Sequence, residues 1–210
     1  MNLPERGHLA RMSAKHEPNT VTEIIRKHKR GYLPHYDSVA LTQFVTFRLA
    51  DSLPASIFSD LKFKLQAKII SDIDYHKAIE RALDIGTGEK FLRDPRIARL
   101  VASALMKFDG QRYELISWVI MPNHVHLLLK IMSGYSLSAV IHSIKSYTST
   151  QANKTLTRRG RFWSPDYFDR FIRDSVHLDR VKTYIEENPV KAGLCRNSGD
   201  WPWSSLRFKD

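Results

Sequence analysis

The apolar residues of this chain follow two different periods. At 42–49 (TQFVTFRL), 113–121 (YELISWVIM) and 124–132 (HVHLLLKIM) they crowd into short β-branched and aromatic runs with partial alternation, which predicts strands. Only Pro122 and Asn123 separate the last two, so a tight antiparallel connection is expected there. From 55 to 93 the step lengthens to four, with Ile57, Leu61, Leu65, Ile69 and Ile73 along one face before a turn at 86–88; this predicts a long first helix or a helical insertion. Asp94-Pro95 predicts the start of another helix, with Ile97, Leu100, Val101, Ala104 and Leu105 as its apolar stripe and an end near Asp109-Gly110. Helices over 136–154 and 176–187, the second stopped by Asn188-Pro189, flank an aromatic segment at 162–172 that reads as loop passing into strand. The stretch 20–30 (TVTEIIRKHKR) reads as a short helix ending at Gly31. This order predicts an α+β fold, an antiparallel sheet with helices packed on one face, related to the ferredoxin-like arrangement. Residues 1–33 read as a basic N-terminal arm, and 34–210 as one domain with a helical extension at about 55–93.

Composition narrows what such a fold can serve. The 210 residues include 33 Lys and Arg against 22 Asp and Glu, a formal charge of +11. No apolar run approaches the roughly 20 residues that cross a bilayer, and the mixed, polar N-terminus lacks the apolar core of a secretory signal, which predicts a cytoplasmic protein. A single cysteine, Cys195, excludes an internal disulfide and a zinc site built on several thiolates. Any metal is therefore expected on His, Asp, Glu or amide side chains. The charge fits a polyanionic partner without separating DNA from an anionic membrane. Basic and aromatic residues mix at two places, Arg158, Arg159 and Arg161 with Phe162 and Trp163, and Arg26, Lys27, Lys29 and Arg30 with Tyr32. Such mixtures suit phosphates and stacked unpaired bases, although the same rings can equally pack a core. Trp201 and Trp203, around Pro202, read as a packed C-terminal clasp.

Two pairs of residues could carry chemistry. His124 and His126 are two apart in a predicted strand, so both imidazoles share a face and can share a metal ion, while Val125, Leu127 and Leu129 anchor the other face. Spacing alone is equally met by histidines that merely pack or face solvent. Tyr184 and Asn188 stand one helical turn apart, as do Tyr147 and Gln151, and spacing does not choose between them. A phenol is a weak nucleophile near neutrality unless a cation, or a lysine such as Lys182 or Lys191, favours its phenolate.

Three ordered segments, 118–128 (WVIMPNHVHLL), 184–194 (YIEENPVKAGL) and 201–205 (WPWSS), resemble the REP-associated tyrosine transposases, bacterial relatives of small insertion-sequence transposases within the HUH single-strand nucleases. The stretch 30–53 (RGYLPHYDSVALTQFVTFRLADSL) is similar to the N-terminal part of one branch. The likeness covers most of 30–206 and leaves out 1–29 and much of 55–93. It implies that His124 and His126 hold a divalent cation, Mg²⁺ or Mn²⁺, that Tyr184 is the nucleophile, and that Asn188 is the third ligand with Glu187 in reserve. Insertion-sequence relatives carry Gln where this chain has Asn188. The implied activity is that of a single-strand DNA endonuclease and transposase, which cleaves and rejoins DNA beside REP-like hairpins through a 5′-phosphotyrosine. From the basic and aromatic clusters and the lysines near Tyr184, the expected DNA contacts are Arg26, Lys27, Lys29, Arg30, Arg158, Arg159, Arg161, Trp163, Lys182 and Lys191. No obligate protein partner is evident, and monomer and homodimer both stay open. Ligation by neutral imidazole further implies loss of activity below about pH 6. Three rivals keep part of this pattern: a non-catalytic hairpin-binding protein, a metal-dependent phosphodiesterase using water, and an RNA-directed nuclease, which would need substrates carrying 2′-hydroxyls.

Overall fold

The computed structural model describes residues 26–30, 33–37, 41–86 and 88–208, the first two segments as backbone only. Strands β1 (Arg26–Arg30) and β2 (Leu33–Asp37) form an antiparallel ribbon. The helix expected at 20–30 is thus replaced by strand over its last five residues, because pairing with β2 overrides a weak local helical preference. Residues 20–25 lie outside the described residues.

Strands β3 (Thr42–Arg48), β4 (Tyr113–Ile120), β5 (His124–Ile131) and β6 (Phe168–Phe171) form the main sheet, in the order β4-β5-β3-β6 with every pair antiparallel. Helices α1 (Ala55–Gln66), α2 (Asp72–Ile85) and α3 (Pro95–Met106) lie between β3 and β4; α4 (Leu137–Thr155) links β5 to β6, and α5 (Ser175–Lys191) follows. Strand-helix-strand-strand-helix-strand with this neighbour order is the ferredoxin-like α+β arrangement that the sequence predicts.

Strand periodicity assigns each residue of β3 and β5 to a face. Val45, Phe47, Val125, Leu127 and Leu129 are fully buried beneath α3 and α4, where they meet Ile97, Val101, Leu105, Ile141 and Ile144. Helices α3 and α4 thus pack on one face as expected. The opposite face is also covered: Phe44, Val119, Met121 and Leu128 pack against Ile185 of α5. Burying that second face encloses the side chains of His124 and His126 between sheet and helix.

Two helix boundaries differ from expectation. The segment 55–93 is a helical hairpin, broken at Ala67 to Ile70 and restarted by the Ser71 cap, with its own cluster around Leu53, Tyr75, Ile79 and Leu83. Its return is fixed at Gly88, where a Cβ would lie 2.2 Å from Asp51 O. Helix α5 continues through Pro189 to Lys191, because a proline in the last turn costs only one ladder bond. The C-terminal segment closes the β4 edge, with Ile120 N donating to Trp203 O and Trp201 Nε1 to Ile120 O, as the clasp predicts. Among the described residues, no helix is long and apolar enough to cross a membrane.

Candidate active site

His124 and His126 project from β5 on the α5 side and are 1% and 0% exposed. Their Nε2 atoms are 3.0 Å apart. The residue before β5, Asn123, donates through Nδ2 to Leu83 O at 2.9 Å, so its Oδ1 is the acceptor for His124 Nδ1, 2.7 Å away. On the neighbouring strand Thr46, directly opposite His126 in register, places Oγ1 2.7 Å from His126 Nδ1. Both rings are therefore held by their Nδ1 atoms, and their Nε2 atoms converge. Burial pushes His124 down to about 3 and His126 well below its ordinary value, with His76 adding to both shifts. Neutral imidazoles that converge in this way are suited to accept a cation.

Helix α5 brings Tyr184 over the pair, its ring 5.4 Å from that of His126 and 5.9 Å from that of Phe44. One turn on, Asn188 is 2% exposed, and its Oδ1 has no hydrogen-bond partner among the described residues. A buried, orphaned amide oxygen one turn beyond Tyr184 and two convergent imidazole nitrogens are donor types that suit a divalent cation of mixed nitrogen and oxygen preference. Among the described residues no group of three or more His, Cys, Asp or Glu is arranged to hold a metal. Glu187 points away into an ion pair with Lys191, at 2.9 Å, which removes it as the reserve ligand.

The lysines do not favour a phenolate here. Lys191 Nζ stands 5.7 Å above the Tyr184 ring but is paired with Glu187, and Lys182 lies 3.9 Å from Glu186. Burial, followed by the charges of Glu80 and Asp84, instead pushes the Tyr184 hydroxyl well above its ordinary value. Tyr147, the alternative by spacing, is 53% exposed on α4, which packs on the other face of the sheet.

Sequence reasoning missed the contribution of α2. His76 stacks on Phe168 with centroids 3.4 Å apart and sets Nε2 2.8 Å from Glu80 Oε1. Asp84 is raised to about 6 by burial and by Glu80. No motif marks these residues, and only the three-dimensional return of the 55–93 hairpin brings them to Tyr184. Thr46 and Asn123 could have been found, since one opposes and the other precedes the histidines.

The expected DNA contacts divide. Arg159 and Arg161 are exposed and, with Arg48 and Lys62, line a cavity of about 720 Å³. Arg158 lines it too, 4.6 Å over the Phe91 ring and bonded to Asn153 Oδ1 at 3.1 Å, as Arg48 is held by Ser52 Oγ at 3.2 Å and lies over the Phe58 ring. Trp163 corrects the expectation of a base platform: it is 3% exposed, packs edge-on against Phe47 and Phe162, and donates Nε1 to Thr148 Oγ1. Lys182 and Lys191 are exposed on α5. The side chains of Arg26, Lys27, Lys29 and Arg30 lie outside the described residues. A smaller cavity of about 160 Å³ reaches His124 past Lys90 and Arg93.

Residues 89–188 match the family model described as IS200-like transposase. A protein of Haemophilus influenzae and one of Escherichia coli K12, both named as REP-associated tyrosine transposases, are 29% and 27% identical to this chain. The alignments cover 45% and 51% of this chain and 59% and 64% of those relatives, so the chain spans only about six tenths of their length. In fold, the chain is similar to a solved REP-associated tyrosine transposase bound to a REP hairpin, with a TM-score of 0.54 and 20% identity over 87% of this chain and 83% of that one.

Proposed function

We propose that the chain is a member of the IS200-like transposases, whose model its residues 89–188 match, and that it is a single-strand DNA endonuclease and strand transferase acting beside hairpins through Tyr184. The observation that carries this reading is the placement of the Tyr184 ring 5.4 Å from His126, with the orphaned Oδ1 of Asn188 one turn away. Tyr184 Oη attacks the scissile phosphorus, the P–O3′ bond breaks, and the products are a 5′-phosphotyrosine and a 3′-hydroxyl. Attack by a 3′-hydroxyl on the phosphotyrosine rejoins strands; one phosphodiester replaces another, so no nucleotide triphosphate is needed. His124, His126 and Asn188 would hold a divalent cation, Mg²⁺ or Mn²⁺, whose chemistry when bound is to polarise a phosphate oxygen and offset the charge that develops there.

Other residues of the chain bind and orient the DNA. Arg159 and Arg161, with Arg48 and Lys62, would neutralise phosphates along the larger cavity, and Lys90 and Arg93 would guide a phosphate toward His124. The basic cluster Arg26, Lys27, Lys29 and Arg30 belongs to a proposed arm, 1–33, whose last strand pairs with β2 at the start of the catalytic domain, 34–210. The bacterial relatives support action in a bacterial cytoplasm.

The test is incubation of the protein with Mn²⁺ and an end-labelled single-stranded oligonucleotide carrying an imperfect-palindrome hairpin, resolved on a denaturing gel. A protein-linked DNA band is expected. Cleavage without such a band would identify a water-using phosphodiesterase, and binding without cleavage a hairpin-binding protein.

A further inference from the structure

The three donors proposed to hold the cation are shut away from solvent, with His124, His126 and Asn188 at 1%, 0% and 2% exposure. Helix α5 covers them from one side and α2, which lies outside the segment matched to the transposase family, from the other. Toward its start α2 stacks His76 on Phe168, edge-on to Phe44, whose own ring stacks on that of His126. Toward its end Leu83 O accepts from Asn123 Nδ2 at 2.9 Å, beside His124. A seam of about 40 Å³ is left between α2 and strands β3 and β6, and the cavity that reaches His124 holds about 160 Å³. A DNA strand is continuous and has to enter and leave the centre, which calls for an open groove rather than two small pockets.

We propose that the α1–α2 hairpin is an autoinhibitory lid, closed in this structure over His124 and His126, and that binding of single-stranded DNA swings it away as a unit. The hairpin can move without unfolding. Its apolar side chains close on themselves, Tyr75, Ile79 and Leu83 of α2 with Phe58 and Leu61 of α1 around Leu53, in a cluster separate from the two that flank the sheet. Its two ends meet at one neck, where Glu89 N donates to Asp51 O at 2.9 Å, so a rotation there carries both helices together.

The DNA track also touches the lid. Arg48, on β3, lies 4.8 Å over the Phe58 ring of α1, and both residues line the 720 Å³ cavity together with Lys62, Arg159 and Arg161. A phosphate that draws Arg48 to itself therefore takes a contact away from the lid. Opening then uncovers the His pair, which the closed form withholds from the strand, and that difference in affinity shifts the equilibrium. The inference rests on the reading of Tyr184 and the His pair as the catalytic centre.

The experiment places spin labels on Ile69→Cys, in the exposed turn at the far end of the hairpin, and on Tyr147→Cys, exposed on α4, in a Cys195→Ser background, and measures their separation by pulsed EPR. The free protein is expected to give one main distance. Saturation with the single-stranded hairpin oligonucleotide in Mg²⁺ is expected to add a population longer by about 10 Å, the width of one helix. In the free protein, His76→Ala, which removes the stack on Phe168, is expected to raise that longer population at least threefold or so, while His76→Phe, which keeps a ring there, stays within about twofold of wild type. A distance that the oligonucleotide leaves unchanged in a protein that forms the covalent adduct overturns the lid alone, as does a free His76→Ala protein whose distances match wild type. A bound oligonucleotide that yields no adduct, or an adduct that survives Tyr184→Phe, overturns the reading on which the lid rests.

Discussion

The imidazoles of His124 and His126 face each other through Nε2 atoms 3.0 Å apart, and each ring is turned that way by an oxygen on its other nitrogen. For His126 that oxygen belongs to Thr46. Replacing Thr46 by Val keeps the shape and removes the hydroxyl, so the ring loses its orientation while the sheet stays intact. Mn²⁺ affinity, measured by calorimetry, is expected to fall about 10- to 100-fold in Thr46→Val with little change in melting temperature. Unchanged affinity would mean that packing against Phe44 alone orients His126.

Burial alters the acid behaviour that spacing alone implies. A histidine whose folded pKa is depressed keeps its neutral, ligating form as pH falls through the ordinary range, and protonates only near the depressed value, about 3 for His124. The loss below about pH 6 expected for ordinary imidazoles is therefore not expected from this pair. Mn²⁺ affinity should agree within about threefold between about pH 5 and pH 7.5. A fall of more than tenfold over that interval would show that the rings are hydrated in solution.

Trp163 and its arginine neighbours should separate cleanly. Trp163→Ala removes a buried ring and its bond to Thr148, which should cost about 3 to 5 kcal/mol of stability by urea denaturation. Arg159→Ala and Arg161→Ala should leave stability within about 0.5 kcal/mol. Each is instead expected to reduce the salt dependence of single-strand binding by up to about 0.7 in log–log slope. A Trp163→Ala variant of wild-type stability with selectively lost binding would restore the ring as a base platform.

What the sequence revealed and what it concealed follow from the range of each signal. Alternation in β5 sorted His124 and His126 from Val125, Leu127 and Leu129, because a strand's period fixes faces locally. The one-turn spacing of Tyr184 and Asn188 was also legible, even though α5 runs on through Pro189. Spacing alone left Tyr184 and Tyr147 level and the resemblance pointed to Tyr184; which face of the sheet each helix covers is a long-range fact that only the fold supplies. The burial of Trp163 and the approach of Glu80 were hidden for the same reason. Both depend on segments returning to the sheet from a distance, and the 55–93 hairpin carries no pattern beyond its own apolar stripe.

Asp84 offers a test of how α2 is seated. A carboxyl whose folded pKa is raised, here from 3.8 to about 6, holds its proton more tightly folded than unfolded. Its contribution to stability is full below about pH 4 and is lost as pH rises through about 6. Asp84→Asn should therefore stabilise the protein at about pH 8, by about 1 kcal/mol because solvent screens an exposed side chain, and leave it unchanged near pH 4. Equal stabilisation at both values would place Asp84 in solvent, away from Glu80.

The most direct measurement is mass-spectrometric mapping of the covalent adduct formed with Mn²⁺ and a single-stranded hairpin oligonucleotide, on wild type, Tyr184→Phe and Tyr147→Phe. A nucleotide remnant is expected on the peptide containing Tyr184, with its absence in Tyr184→Phe while hairpin binding is retained, and its persistence in Tyr147→Phe. An adduct on any other residue, or one that disappears in Tyr147→Phe while surviving in Tyr184→Phe, would contradict Tyr184 as the nucleophile.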